Sequence, residues 1–454
     1  MDQVATVDRT VLERCLLREL DDFRARNPRS RELYERAQAS LVGGVPMPWM
    51  MRWAGGFPVF MAAADGARVT DVDGHEYVDL CLGDTGAMPG HSPAVVVDAA
   101  GQQLGRGITT MLPTEDALWV GEELGRRFGP ARWLFTLTAT DANRAALRLA
   151  RQITGRPKIL VFSYCYHGSV DEAFAVAAGP GRTRSRAGNV GPAVDVAQTT
   201  KAIEFNDVDA LARALREGDV ACVLAEPAMT NMGIVLPDEG YHEALRSLTR
   251  ETGTLLIIDE THTFSAGPGG CTRAWGLEPD LVTIGKAIGS GVPAGALGLS
   301  DAVTDAMFAQ TDADYEDTGG VGGTLAGNAL SLAAIRATLS RVLTDEAFAH
   351  TIPLAARFCA GFQRVARERG VQWHVTQLGC RAEYRFTARA ARNGTEAHEA
   401  SDPQLERFLH LHALNRGVLL TPFHNMALMS PATTEADVDR HTEVLGEALA
   451  DLGY

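Results

Sequence analysis

The chain has 454 residues, 46% hydrophobic and 22% charged, the balance of a globular enzyme long enough for two or three compact units. A formal charge of −15 argues against binding to nucleic-acid phosphates, which needs clustered Lys and Arg, and leaves small molecules and other protein chains as partners. The first twenty residues mix acids and arginines with apolar residues, unlike a secretion signal, and no apolar run approaches the length of a membrane span. Seven cysteines without CxxC spacing predict reduced thiols, a cytoplasmic protein and no metal site.

From residue 8 to 38, charged and apolar residues recur at helical spacing (Leu12, Leu16, Leu17, Leu20, then Tyr34 and Ala37), interrupted at Asn27-Pro28, so two helices are expected. The segment VPMPWMMRW after Gly43-Gly44 is too rich in Pro and Met for a helix or strand. It reads as a packed loop, a subunit contact or a substrate-contacting loop. VTDVDGHEYVDLCLG alternates apolar and polar residues around Asp73-Gly74, the pattern of a hairpin.

From about residue 95 to 300 apolar strands alternate with helices. The strand candidates are WLFTLT, KILVFSY, ACVLAE, TLLIIDE and LVTIGK, and segments such as DANRAALRLARQI are helical. This alternation predicts an α/β fold with a mainly parallel sheet covered by helices. Glu226, Asp259 and Lys286 fall at the carboxyl ends of three of these strands, the edge where open parallel sheets bind ligands. Beyond about 330, helical stretches flank the short apolar runs RAEYRF and VLLTPF, a smaller α+β unit. The expected organisation is an N-terminal segment, 1–80, contributing to the small domain, a large domain, 81–330, and a C-terminal small domain, 331–454.

Of 42 basic side chains only Lys158, Lys201 and Lys286 are lysines. A lysine between a strand and a glycine-rich turn invites a chemical role, because arginine neither deprotonates nor forms an imine. Lys286 follows Asp259 by 27 residues, in the pair IIDETHT (257–263) and TIGKAIGSGVPAGALG (283–298). With KILVFSYCYHGS (158–169), FTLTATDANRAALRLAR (135–151), AEPAMTNMGIVLP (225–237) and GGTLAGNALSLAA (322–334), the order of motifs from about Gly43 to the C-terminus resembles the class III (ω-type) pyridoxal-phosphate aminotransferases of fold type I, nearest the glutamate-1-semialdehyde aminomutase branch.

The resemblance implies that Lys286 forms the Schiff base with pyridoxal 5'-phosphate and that Asp259 holds the pyridine nitrogen, with Glu226 near the same side of the ring. It implies that Tyr166 stacks on the ring while His167-Gly168 shapes the turn. Thr138, Ala139 and Thr140 stand where the family has a Ser-Gly-Thr turn for the phosphate, at a helix start whose free N–H groups and dipole suit an anion. Thr261, Gly323 and Thr324 complete the cofactor contacts, Thr324 across a homodimer interface. The activity implied is ping-pong transfer of an amino group from an amine or amino acid to a keto acid or aldehyde, with pyridoxamine phosphate as intermediate.

Two residues depart from the aminomutase branch. Met50 stands where that branch carries an arginine for the substrate carboxylate, and Thr85 replaces a tryptophan in GDTGAMPGH. Arg52 on the N-terminal loop and Arg381 or Arg385 in CRAEYRF are the candidate carboxylate binders, a planar guanidinium suiting a bidentate contact. The alternatives are a 2,1-aminomutase and a non-catalytic member of the fold; the second sits badly with a retained Lys286 and no added DNA-binding segment. A nucleotide site would need GxGxxG or GxxxxGK[ST], and neither occurs in the expected place.

Overall fold

The computed structural model describes residues 7–309 and 321–454. The chain divides into two compact units: a large one of residues 94–345 and 391–399, and a small one of residues 1–93, 346–390 and 400–454.

The large unit is built on a seven-stranded sheet. Its strands lie in the order Arg132–Thr136, Gly295–Leu299, Leu281–Gly285, Leu255–Asp259, Val220–Ala225, Lys158–Phe162 and Thr200–Ile203. All neighbours pair in parallel except Gly295–Leu299, which runs antiparallel to both of its partners. Val220–Ala225 and Leu281–Gly285 are buried at every residue, as expected of strands covered on both faces. The five strands read from the sequence are all present. The antiparallel one, GALGL, is not among those five; its glycines are where neighbouring chain comes close. A Cβ on Gly295 would lie 2.5 Å from the Thr138 carbonyl, and one on Gly298 would lie 2.8 Å from the Trp133 ring.

Helix Ala139–Thr154 packs its face of Ala142, Ala145, Ala146, Leu149 and Ala150 into the core, with Thr138 as N-cap and Gly155 at φ 67° closing its C-terminus. The large unit also claims helix Ala329–Arg341, which packs on helix Ala94–Leu104 through Val96, Ala334 and Ala337. The boundary therefore falls after Asp345, not at 330.

The small unit begins with the two expected helices, Arg9–Arg26 and Pro28–Ala37, and the hairpin of Arg68–Asp71 with Glu76–Asp79. Residues 81–93, expected in the large domain, stay here because Gly66 and His91 exchange backbone hydrogen bonds of 2.9 and 2.7 Å. RAEYRF becomes the central strand Arg381–Arg385 of a three-stranded sheet, and VLLTPF supplies the short strand Val418–Leu419. VPMPWMMRW forms a 3₁₀ turn over Pro48–Arg52. Among the described residues no helix is long and apolar enough to cross a membrane, and the seven cysteines are unpaired.

Candidate active site

Three parallel strands of the large unit deliver Glu226, Asp259 and Lys286 to one sheet edge. Asp259 ends its strand in register with Thr283, and Ala225, just before Glu226, pairs with Ile258. Lys286 follows the neighbouring strand at φ 50°, a left-handed backbone rare for a side chain with a Cβ and costing on the order of 1–3 kcal/mol. Such strain fixes the direction in which the side chain leaves the strand. The Lys286 Nζ lies 2.9 Å from His262 Nε2.

Asp259 is buried, and its carboxylate is held from three directions. His167 Nδ1 and Asn143 Nδ2 each lie 2.9 Å from Oδ2, and the Thr261 N–H donates to Oδ1 at 3.0 Å. A carboxylate offers roughly four lone-pair sites, so room for one further donor remains. Burial alone would raise the Asp259 pKa, but the hydrogen bond and charge of His167, with Thr261 and Asn143, hold it at about 2. Burial likewise opposes charge on His167, and Cys165 and the Asp259 carboxylate overcome it, pushing the imidazole well above its ordinary value. The result is a buried, charged acceptor that can hold a protonated ring nitrogen.

Glu226 accepts hydrogen bonds from the Thr230 hydroxyl and N–H, the latter at 3.3 Å, and burial pushes its pKa up to about 7 against the pull of His167 and Thr230. The adjacent Glu260 has a structural task. Its buried carboxylate accepts from the Thr263 and Thr272 hydroxyls and the Cys271 N–H, which ties down the turn after Asp259.

The start of helix Ala139–Thr154 lies against two glycines. A Cβ on Gly285 would stand 2.9 Å from the Ala139 nitrogen, and one on Gly168 would stand 2.9 Å from the Thr140 Cα. The first-turn N–H groups of Ala139 and Thr140 have no partner within the helix and suit a phosphate. The Thr138 hydroxyl is committed to capping: it donates to Asp141 Oδ2 at 2.8 Å and accepts from the Asp141 N–H at 3.2 Å. Alanine in place of the family's glycine at 139 leaves this cradle intact, because the close approaches are made by Gly168 and Gly285. Tyr166 is half-buried with its ring 6.2 Å from Phe174. Two buried polar atoms, His167 Nε2 and Thr261 Oγ1, have no protein hydrogen-bond partner. An amine, a charged acceptor and a glycine-lined helix start thus fit the aldehyde, ring nitrogen and phosphate of pyridoxal phosphate.

Gly323 lies in the same unit at φ 131°, and Thr324 is exposed beside Leu325 in the turn leading to helix Ala329–Arg341. The substrate candidates belong to the small unit. Arg52 is exposed, its guanidinium 5.6 Å from the Phe423 ring, on which Trp49 also packs edge-on. Met50 is exposed, Thr85 is buried, and Arg385 donates to the Ser401 hydroxyl at 2.8 Å. Arg381 is fully buried, 4.0 Å from Glu383, and is part of an internal ion network and no solvent-facing arm. Glu19, His412 and Asp451 are close enough to share a cation, yet Glu19 already binds Arg416 and Asn415, an ion-pair arrangement.

Sequence reasoning missed three residues of this site: Asn143, His262 and Thr283. Asn143 accepts from the Thr283 hydroxyl at 2.7 Å while donating to Asp259, which fixes the orientation of its amide. The one available signal was a lone asparagine on the alanine face of an amphipathic helix.

A mainly parallel sheet that presents a strand-end lysine beside a buried aspartate and a helix start defines a fold type I pyridoxal-phosphate enzyme. The model for "Aminotransferase class-III" matches residues 49–449, and the chain belongs to that family. It is 34% identical over 440 residues to a glutamate-1-semialdehyde 2,1-aminomutase of Chloroflexus aggregans, covering 94% of this chain and 99% of that one. Among solved structures, a glutamate-1-semialdehyde-aminomutase of Pseudomonas aeruginosa, a lysine-to-alanine variant (K286A) in complex with PMP, superposes with a TM-score of 0.95 at 49% identity, over 98% and 99% of the two chains. An omega-transaminase of Sphaerobacter thermophilus follows at TM-score 0.84 and 28% identity, over 94% and 98%.

Proposed function

We propose that the protein moves an amino group between adjacent carbons of one substrate, as a glutamate-1-semialdehyde 2,1-aminomutase. The observation that carries this reading is the 49% identity along 98% of the chain to the Pseudomonas aeruginosa aminomutase, a likeness well above that to the omega-transaminase. It moves the weight from general transamination to the mutase.

Pyridoxal phosphate, when bound, supplies an aldehyde that takes up the amine and a ring that receives the electrons of the neighbouring C–H bond. The helix start at Ala139 and Thr140 would hold the phosphate. Asp259, kept ionised by His167 and Asn143, would hold a proton on the ring nitrogen. Tyr166, Thr261 and Glu226 would line the ring site. Lys286 would hold the cofactor through its amine and, when that amine is free, would take and return substrate protons. The Pseudomonas aeruginosa relative whose lysine is replaced is in complex with PMP, so cofactor binding in that protein does not need the lysine. A second copy of the chain covers Thr324 and completes the phosphate contacts, so the working form is a homodimer.

The test is to give the holoenzyme glutamate-1-semialdehyde alone. The mutase reading expects its isomer, with the amine on C1 and a ketone on C2, and no need for a second substrate. Turnover only with a separate amine donor and keto acceptor would overturn it. That second reading, ordinary transamination, is favoured by one feature: Met50 is an exposed thioether at the position of the branch's carboxylate-binding arginine. In it Arg52 takes over the carboxylate.

A further inference from the structure

We propose that His262 is the proton partner of Lys286: its Nε2 takes a proton from the lysine ammonium before the amine attacks the cofactor or receives a substrate proton, and then returns it. The proposal rests on the pyridoxal-phosphate assignment and adds a second residue to the reacting amine. In the step, an N–H bond of Nζ breaks and leaves its electron pair on nitrogen. The lone pair of Nε2 forms the new N–H bond, and the positive charge passes from lysine to imidazole.

Three observations carry it. The Nζ to Nε2 distance of 2.9 Å is that of a direct hydrogen bond, along which a proton moves without an intervening water. Both side chains leave fixed backbone: Lys286 from its left-handed position after Gly285, and His262 from a turn that Glu260 clamps through Thr263, Cys271 and Thr272. The group that meets Nζ at this distance is an imidazole, able both to take and to give a proton near neutral pH.

The test uses the apoenzyme and separates binding from proton transfer. Pyridoxamine phosphate, which cannot bond to Lys286, reports the phosphate and ring contacts by calorimetry. Pyridoxal phosphate, trapped on the lysine with borohydride at successive times, reports capture. His262→Ala should keep pyridoxamine phosphate affinity within about threefold, slow capture on the order of 10²-fold, and recover part of that rate with added imidazole. His262→Gln keeps a polar side chain that cannot take the proton, so it should remain slow. Capture at the wild-type rate in both variants would overturn the proposal. So would slow capture with pyridoxamine phosphate binding equally lost and no rescue, the mark of a merely structural residue. A wild-type chain that binds neither compound would instead refute the cofactor assignment itself.

Discussion

His167 Nδ1 lies 2.9 Å from Asp259 Oδ2, and both side chains are buried. The pairing keeps the aspartate ionised where burial alone would protonate it, with its pKa at about 2. Asp259→Asn should therefore fold and retain cofactor but lose turnover by several orders of magnitude, equivalent to a few kcal/mol or more in the barrier. Single-turnover kinetics of the reconstituted variant check this. Near-normal rates would mean that the ring nitrogen has another partner.

Glu226 provides a pH signature. Burial raises its pKa to about 7 in the folded chain from an ordinary 4.5, so between those values the folded state binds the extra proton. This contribution to stability is full below about pH 4.5 and is lost as the pH rises through 7. Glu226→Gln removes the titration. The melting temperature of the variant relative to wild type should climb across that window and level off above it; a difference independent of pH would refute the assignment.

Gly168 has φ 81°, and a Cβ there would collide with the Thr140 hydroxyl and stand 2.9 Å from its Cα. Gly168→Ala should displace the first turn of helix Ala139–Thr154. We expect pyridoxamine phosphate affinity to fall at least tenfold and stability to drop by about 1–3 kcal/mol. Calorimetric titration and denaturant unfolding give the two numbers, and unchanged affinity would show that the phosphate lies elsewhere.

Lys286→Ala should bind cofactor through the remaining contacts while losing nearly all turnover. Lys286→Arg should do no better, because a guanidinium stays protonated. Borohydride reduction of the wild-type holoenzyme followed by peptide mapping should find the cofactor on Lys286. Label on Lys158 or Lys201 would displace the site.

Arg52 is exposed and lies over Phe423. If it receives a substrate carboxylate, Arg52→Ala should raise KM for carboxylate-bearing substrates by tenfold or more, with kcat little changed and simple amines unaffected. Equal effects on both substrate classes would indicate a role in holding the loop.

The sequence by itself determined the strand-helix alternation, the sheet edge and the residues at it. Glu226, Asp259 and Lys286 each follow an apolar run that must be a buried strand, and a residue just past such a strand can only emerge at its carboxyl edge. The scarcity of lysine singled out Lys286, and the roles expected of the three residues came from the family resemblance. Tertiary structure alone decided which groups hold them. Asn143 reaches Asp259 across 116 residues, and Thr283 reaches Asn143 across 140, contacts no local pattern encodes. Only folding shows His262 turned toward Lys286, since its direction is set by the clamp of Glu260 on residues eleven and twelve positions later. The antiparallel strand Gly295–Leu299 was hidden for a related reason: its glycines answer to the Thr138 backbone and the Trp133 ring, which come close only once the sheet has assembled.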